Sequence, residues 1–245
     1  MSSTTTALSK LCQANLGILS QKLGLLEAMS VKHGTDKAKK FFQMSCPLVK
    51  ASVGQHFRHS LDHIELAAKI AERPNDPNRS NLHYDLRERG CSSEHDMDAA
   101  TERIINVINM LEVVSIVQGS NNNTNSSSNN KDSSVVQQTP VQAFFMLDGD
   151  SNSGEYALTS TIGRELGFAA HHAIHHMAMV KLIATQTVGL TENDLPTGFG
   201  RAPSTVRFDN IVQEEEEEIH RTTAAAENNN DMGKPSVEIT HHKSS

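Results

Sequence analysis

The sequence predicts an all-α fold: an up-down four-helix bundle with a short β-hairpin between helices three and four. Three observations point there. Four long stretches repeat apolar residues at helical spacing, and only one segment between them alternates like paired strands. Tryptophan is absent and aromatics make up 4% of the chain, which favours a core of Leu, Ile, Val, Ala and Met. Ser52-Val53-Gly54-Gln55 is a capping box, in which a Ser hydroxyl and a Gln side chain satisfy opposite orphan amides at a helix start.

The first helix is expected from about Ala7 to Lys32, carried by Leu8, Leu11, Leu19, Leu23 and Leu26 and stopped near Gly34. The basic segment from there through Pro47, with Phe41 and Phe42, reads as a loop or a short helix. Helix two follows the capping box to about Glu72, where Arg73 and Pro74 break it. A loop comes next, containing Asn75, Asp76, Pro77 and Asn78 and then the charged string His83 to Arg89. Helix three starts near Asp96 or Asp98, either of which can cap it, and keeps Ile104, Val107, Ile108, Leu111, Val114 and Ile116 on one broad face. Residues 120–134 are nearly all Asn and Ser, too polar to offset the entropy of ordering, and are expected to be a disordered insertion. Val141–Leu147 and Tyr156–Thr159 read as the two strands of the hairpin. Helix four is expected from about Ser160 to Val188, with Gly189 ending it. Residues 1–208 thus form the helical domain, and residues 209–245, opening on the Glu214–Glu218 run, read as a disordered acidic tail.

The net charge of −7 argues against a nucleic-acid partner, because phosphate binding needs a dense positive face. Cys12, Cys46 and Cys91 are odd in number and in no C-x-x-C, the pattern of free thiols in a reducing compartment, so a cytoplasmic setting is expected. No stretch approaches the roughly 18 apolar residues of a membrane span, so no membrane partner is expected. A small-molecule substrate is the expected partner, and a homodimer fits the sequence as well.

Histidines carry the chemistry. Of the 13 in the chain, His56, His59, His63, His171, His172, His175 and His176 crowd two helices that should face each other. His172 and His176 lie about 40° apart on a helical wheel, and Glu165 falls within about 20° of their direction. All three share the apolar stripe of Phe168, Ala169, Met179 and Ile183. Buried imidazoles and a carboxylate are costly unless something organises them, and a His pair at i, i+4 suits one metal ion. His171 and His175 turn toward the edge of that stripe. On helix two, His56, His59 and His63 span about 60° of arc, so all three remain open as ligands. The wheel favours His56 or His63, since Leu66 and Ile70 place His59 nearer one margin of the apolar face.

These residues bring a family into view. Ser52 through His63 resembles the second helix of the DinB-like proteins, and His172-Ala173-Ile174-His175-His176, preceded by Arg164-Glu165-Leu166, resembles their fourth-helix motif. Tyr84 through Arg89 and Phe199 through Thr205 resemble loops of one bacterial branch of that family. The resemblance covers about residues 7–208 without the Asn/Ser insertion. It implies a four-helix bundle with a three-His divalent metal site. The helix-two ligand would lie seven residues after the capping Ser, at His59, with His172 and His176 as the other two. His63 and His56 are the alternatives. The resemblance further implies a metal-dependent enzyme, a thiol-dependent transferase or a small-molecule hydrolase, with a small thiol as a second cofactor.

Three neutral His leave a coordination position open, as catalytic sites do. Imidazole suits Zn, Ni, Fe and Mn alike. Glu165 and Asp62 are candidates for orienting a ligand tautomer or for acid/base work. Arg87 and Arg89 are candidates for clamping a substrate carboxylate. Two alternatives stand beside the enzyme: a metal-binding protein without turnover, and a helical interaction module with a His-rich core.

Overall fold

A computed structural model describes residues 6–74, 76, 80–86, 90–119, 136–149 and 154–231. Helix α1, Ala7–His33, starts where the Thr6 side chain accepts from the Ser9 N–H. It stops at Gly34, whose φ of 77° only glycine adopts without strain. The basic segment that follows forms a short helix, α2, Thr35–Gln43, because Ala38 and Phe42 fall on one face and are buried. Helix α3, Val53–Glu72, opens on both halves of the capping box: Gln55 N–H to Ser52 Oγ at 3.1 Å and Ser52 N–H to Gln55 Oε1 at 2.9 Å.

The segment read as a loop contributes a strand, β1, Asn81–His83, then a helical turn, α4, Ser92–His95. The strand is held by its own inward residues, Leu82 and the adjoining Tyr84, both fully buried. Helix α5, Met97–Gly119, takes Asp96 as its cap, with Oδ1 accepting from the Asp98 N–H at 2.8 Å. Strands β2, Pro140–Phe145, and β3, Tyr156–Thr161, pair antiparallel as the expected hairpin. Because β1 runs parallel to β2 on its other edge, the hairpin is part of a three-stranded mixed sheet of order β1-β2-β3. Helix α6, Ile162–Ile183, is capped by the Thr161 side chain and passes into a π turn, Ala184–Val188, that ends at Gly189 in the left-handed region.

The protein is thus mainly helical, with one small sheet. Helix α3 packs on α5 and α6, and α1 packs on α5 and α6, so each of the four long helices has two neighbours. The most extensive of these pairings is α3 with α6. No helix among the described residues is long and apolar enough to cross a membrane.

Residues 202–245 separate as a second compact unit. Its described part is one helix, α7, Pro203–Asp231. A disordered tail was expected from residue 209, yet Glu214–Glu218 lie inside this helix. Glutamate is a good helix former, and its run is followed by the Ala224-Ala225-Ala226 triplet, the best. Residues 232–245 and the expected Asn/Ser insertion, 120–134, lie outside the described residues.

Candidate metal centre

The α3–α6 pairing positions the centre. Three of the buried residues of α6, Ala169, Ala170 and Ala173, are small, and beside them the larger imidazoles meet across the seam. His59 of α3 and His172 and His176 of α6 form a triad able to hold a metal ion: one ligand nitrogen from each lies within 4.8 Å of the others. The Nε2 atoms of His59 and His172 are 3.1 Å apart. Two imidazoles bound to one tetrahedral ion at 2.0–2.1 Å would sit about 3.3 Å apart, so this spacing fits the donor set.

The other two helix-two candidates flank the triad rather than complete it. His63 is almost fully buried and stacks between His172, at 4.1 Å between ring centroids, and Tyr84, at 4.6 Å. Phe168 and Phe145 pack beside Tyr84 and close that side with aromatic rings. His56 lies on the opposite side, its Nδ1 2.8 Å from Nδ1 of His176. The wheel favoured His56 or His63; in the folded chain His59, between them, has its ring nitrogen at the seam. His171 and His175 are exposed and pack on each other.

Glu165 is buried and accepts from Tyr84 Oη at 2.6 Å, Ser160 Oγ at 2.5 Å and Arg164 Nη1 at 2.6 Å. Through Tyr84 and the His63 ring stacked on it, this carboxylate is linked to the imidazoles. Burial, then the Glu165 carboxylate, pushes the Tyr84 phenol far above its ordinary range, so Tyr84 stays a proton donor. Asp62 turns into an ion network, accepting from Arg58 Nη1 and Arg103 Nη2, each at 2.8 Å. Arg87 and Arg89 lie outside the described residues.

Sequence reasoning missed Lys22. This lysine of α1 is fully buried, with Nζ 2.6 Å from Ser60 Oγ, 3.5 Å from the Phe57 carbonyl and 4.2 Å from the centroid of the Phe57 ring. Burial pushes its ammonium down to about 7. A signal was present. Leu8, Cys12, Asn15, Leu19, Lys22, Leu26 and Met29 follow alternating steps of four and three, which puts two polar residues on the inward stripe. Asn15 uses its place to donate to the Leu166 carbonyl of α6 at 3.1 Å.

The electrostatics favour neutral imidazoles. Burial, then the Lys22 charge, lowers the pKa of His56. For His176, burial acts first, followed by His59, His172, His56 and Lys22. Neutral imidazole is the ligating form, so the same terms that disfavour protonation leave lone pairs for a metal. A cavity of about 280 Å³ opens beside the triad, lined by Gln55, His56, Arg58, His59, Glu94 and His176. Arg58 and Glu94 form an ion pair at 2.9 Å on its wall.

Among curated proteins the chain matches FK506-binding protein 5 of Rhizopus delemar, at 34% identity over 126 residues, 51% of this chain and 27% of that protein. The chain thus spans about a quarter of the length of that relative. No family model matches the chain, and no solved structure matches it. The match corrects the sequence reading: the relative carries the name of a different family, so the DinB-like resemblance is withdrawn. The metal-dependent enzyme, the thiol-dependent transferase, the small-molecule hydrolase and the thiol cofactor, all drawn from that resemblance, go with it. The match favours neither of the alternatives, a metal-binding protein without turnover or an interaction module.

Proposed function

We propose that the four long helices form an up-down bundle that takes up one divalent transition-metal ion at His59, His172 and His176. The proximity of three imidazole nitrogens across two helices carries this reading. The shift of His176 toward the neutral form supports it, as does the cost of clustering imidazoles without a common partner. Nitrogen donors alone suit Zn, Ni, Fe or Mn. Three protein ligands leave a position for a small molecule, and the 280 Å³ cavity beside His59 and His176 is where one fits. The three cysteines, all free thiols, suit a reducing compartment such as the cytoplasm.

Metal analysis of protein purified without a His tag tests the proposal. Close to one ion per chain is expected, with tight binding lost in His172→Ala and in His176→Ala. Acid should release the ion as imidazoles protonate, and since His176 is held below its ordinary range, release should come below about pH 6.5. Wild-type affinity in the double variant would end the proposal.

A further inference from the structure

The nitrogen assignment at His56 and His176 says what the cavity would bind. A neutral imidazole has one lone pair and one N–H. Nδ1 of His176 is engaged by Nδ1 of His56 at 2.8 Å, which leaves Nε2 of His176 for the triad. With its lone pair on Nε2, His176 carries its proton on Nδ1 and donates to His56. His56 must then accept at Nδ1 and hold its own proton on Nε2. That Nε2 is buried and has no hydrogen-bond partner among the described residues. His56 also lines the cavity.

We infer that His56 is both the positioning residue for His176 and, through Nε2–H, the donor to a small carboxylate bound in the cavity beside the triad. This rests on the metal reading above. Two features support the ligand class. Among the described residues, His63, Tyr84 and Phe168 pack on the far side of the triad, so the cavity side is the one left to a ligand. The local charge there favours an anion: a divalent ion, the Lys22 ammonium buried behind Ser60, and a Glu94 carboxylate already held by Arg58 at 2.9 Å and by the Gly90 N–H at 3.3 Å. The cavity volume of about 280 Å³ equals about nine waters at ~30 Å³ each, room for acetate or a slightly larger acid.

The two roles of His56 separate by substitution in the full, tag-free chain loaded with cobalt(II). Removing such a partner of a ligand histidine costs about 10–100-fold in metal affinity, and His56→Ala should show that loss. His56→Asn places Oδ1 where Nδ1 was, so it still accepts from His176 and should restore cobalt affinity to near wild type. Its amide nitrogen does not reach the position of Nε2, so acetate, titrated against the cobalt visible spectrum, should bind at least tenfold more weakly than in wild type. Circular dichroism of each variant checks folding. Wild-type cobalt affinity in His56→Ala would overturn the positioning role. Equal acetate affinity in His56→Asn and wild type would overturn the donor role. Failure of the wild type to hold cobalt sinks the metal reading and this inference together, whereas cobalt binding with unaltered variants sinks this inference alone.

Discussion

Replacing Lys22 by Met should stabilise the protein, and the gain should fade as pH rises. Lys22 sits at 0% exposure, its ammonium met by one hydroxyl, one distant carbonyl and a ring face. No carboxylate lies in salt-bridge contact with it among the described residues. Burial takes it from an ordinary 10.5 to about 7. At ~1.36 kcal/mol per pH unit that gap corresponds to about 5 kcal/mol of cost for keeping the proton in the folded state. Below about pH 7 both states hold the proton and the cost is full. Between about 7 and 10.5 the folded protein has released the proton while the unfolded chain keeps it, so each step up in pH removes part of the cost.

Methionine is close in shape and needs no partner. Ser60 remains satisfied without the lysine, since its hydroxyl donates to the His56 carbonyl at 2.7 Å. Swaps of a buried charge for a matched apolar group gain about 1–4 kcal/mol in other proteins, and a gain in that range is expected near neutral pH. It should then shrink by about 1.4 kcal/mol per pH unit as the medium becomes alkaline. Urea unfolding followed by circular dichroism, in chelator and reductant, measures both forms across this range. Taking the difference cancels the titrating groups that Lys22 does not touch, and His56 and His176, which it does, are already neutral over this range. Parallel stability curves from neutral pH to 10 would refute the reasoning, because they would mean that Lys22 is charged in the fold or finds water there.

Three further outcomes follow from the packing. Gly54→Ala should cost about 1–3 kcal/mol by overpacking, since a Cβ there would lie 2.1 Å from the Glu94 carbonyl oxygen and 2.7 Å from the Phe42 ring, and thermal melting reads it. Tyr84→Phe removes one of three donors to the buried Glu165 carboxylate and should cost about 1.5–3 kcal/mol, the range for a hydrogen bond to a charged group, measured by denaturant titration. Ending the chain after Phe208 removes most of the second compact unit, and the thermal transition of the remaining helical unit should survive, as calorimetry would show.

What was legible in the sequence was whatever local chemistry decides. The capping box at Ser52 and Gln55, the stop at Gly34 and the left-handed Gly189 are each set by a few adjacent atoms, and each could be read directly. Strand β1 could not be. Three residues carry no period, and Asn81–His83 is a strand only because β2 offers a free edge and Leu82 and Tyr84 have a core to enter. The acidic run misled for the opposite reason: composition suggests solvation, while helix propensity acts on the same residues without needing a core. At the candidate centre the wheel could bring His56, His59, His63, His172 and His176 to one seam but could not rank the three of helix two correctly, because ranking them depends on how α3 is turned against α6.

That turn also explains why the three helix-two imidazoles have such unlike surroundings. Residues three before and four after His59 lie about one helical turn away on either side, so one helix face delivers His56 to the open end of the seam and His63 to the closed end. At the closed end the ring is stacked on Tyr84 and His172, where an imidazole acts as an aromatic wall. At the open end His56 has a hydrogen-bonding neighbour on one nitrogen and, among the described residues, none on the other. A single amphipathic stripe thus sets the same residue type in three different surroundings. The cost falls on the fold: Lys22, whose charge helps to keep His56 and His176 neutral, is itself held far below its ordinary basicity. The inward stripe of α1 that holds Lys22 carries Leu or Met at 8, 19, 26 and 29, which is why Met is the substitution that fits position 22.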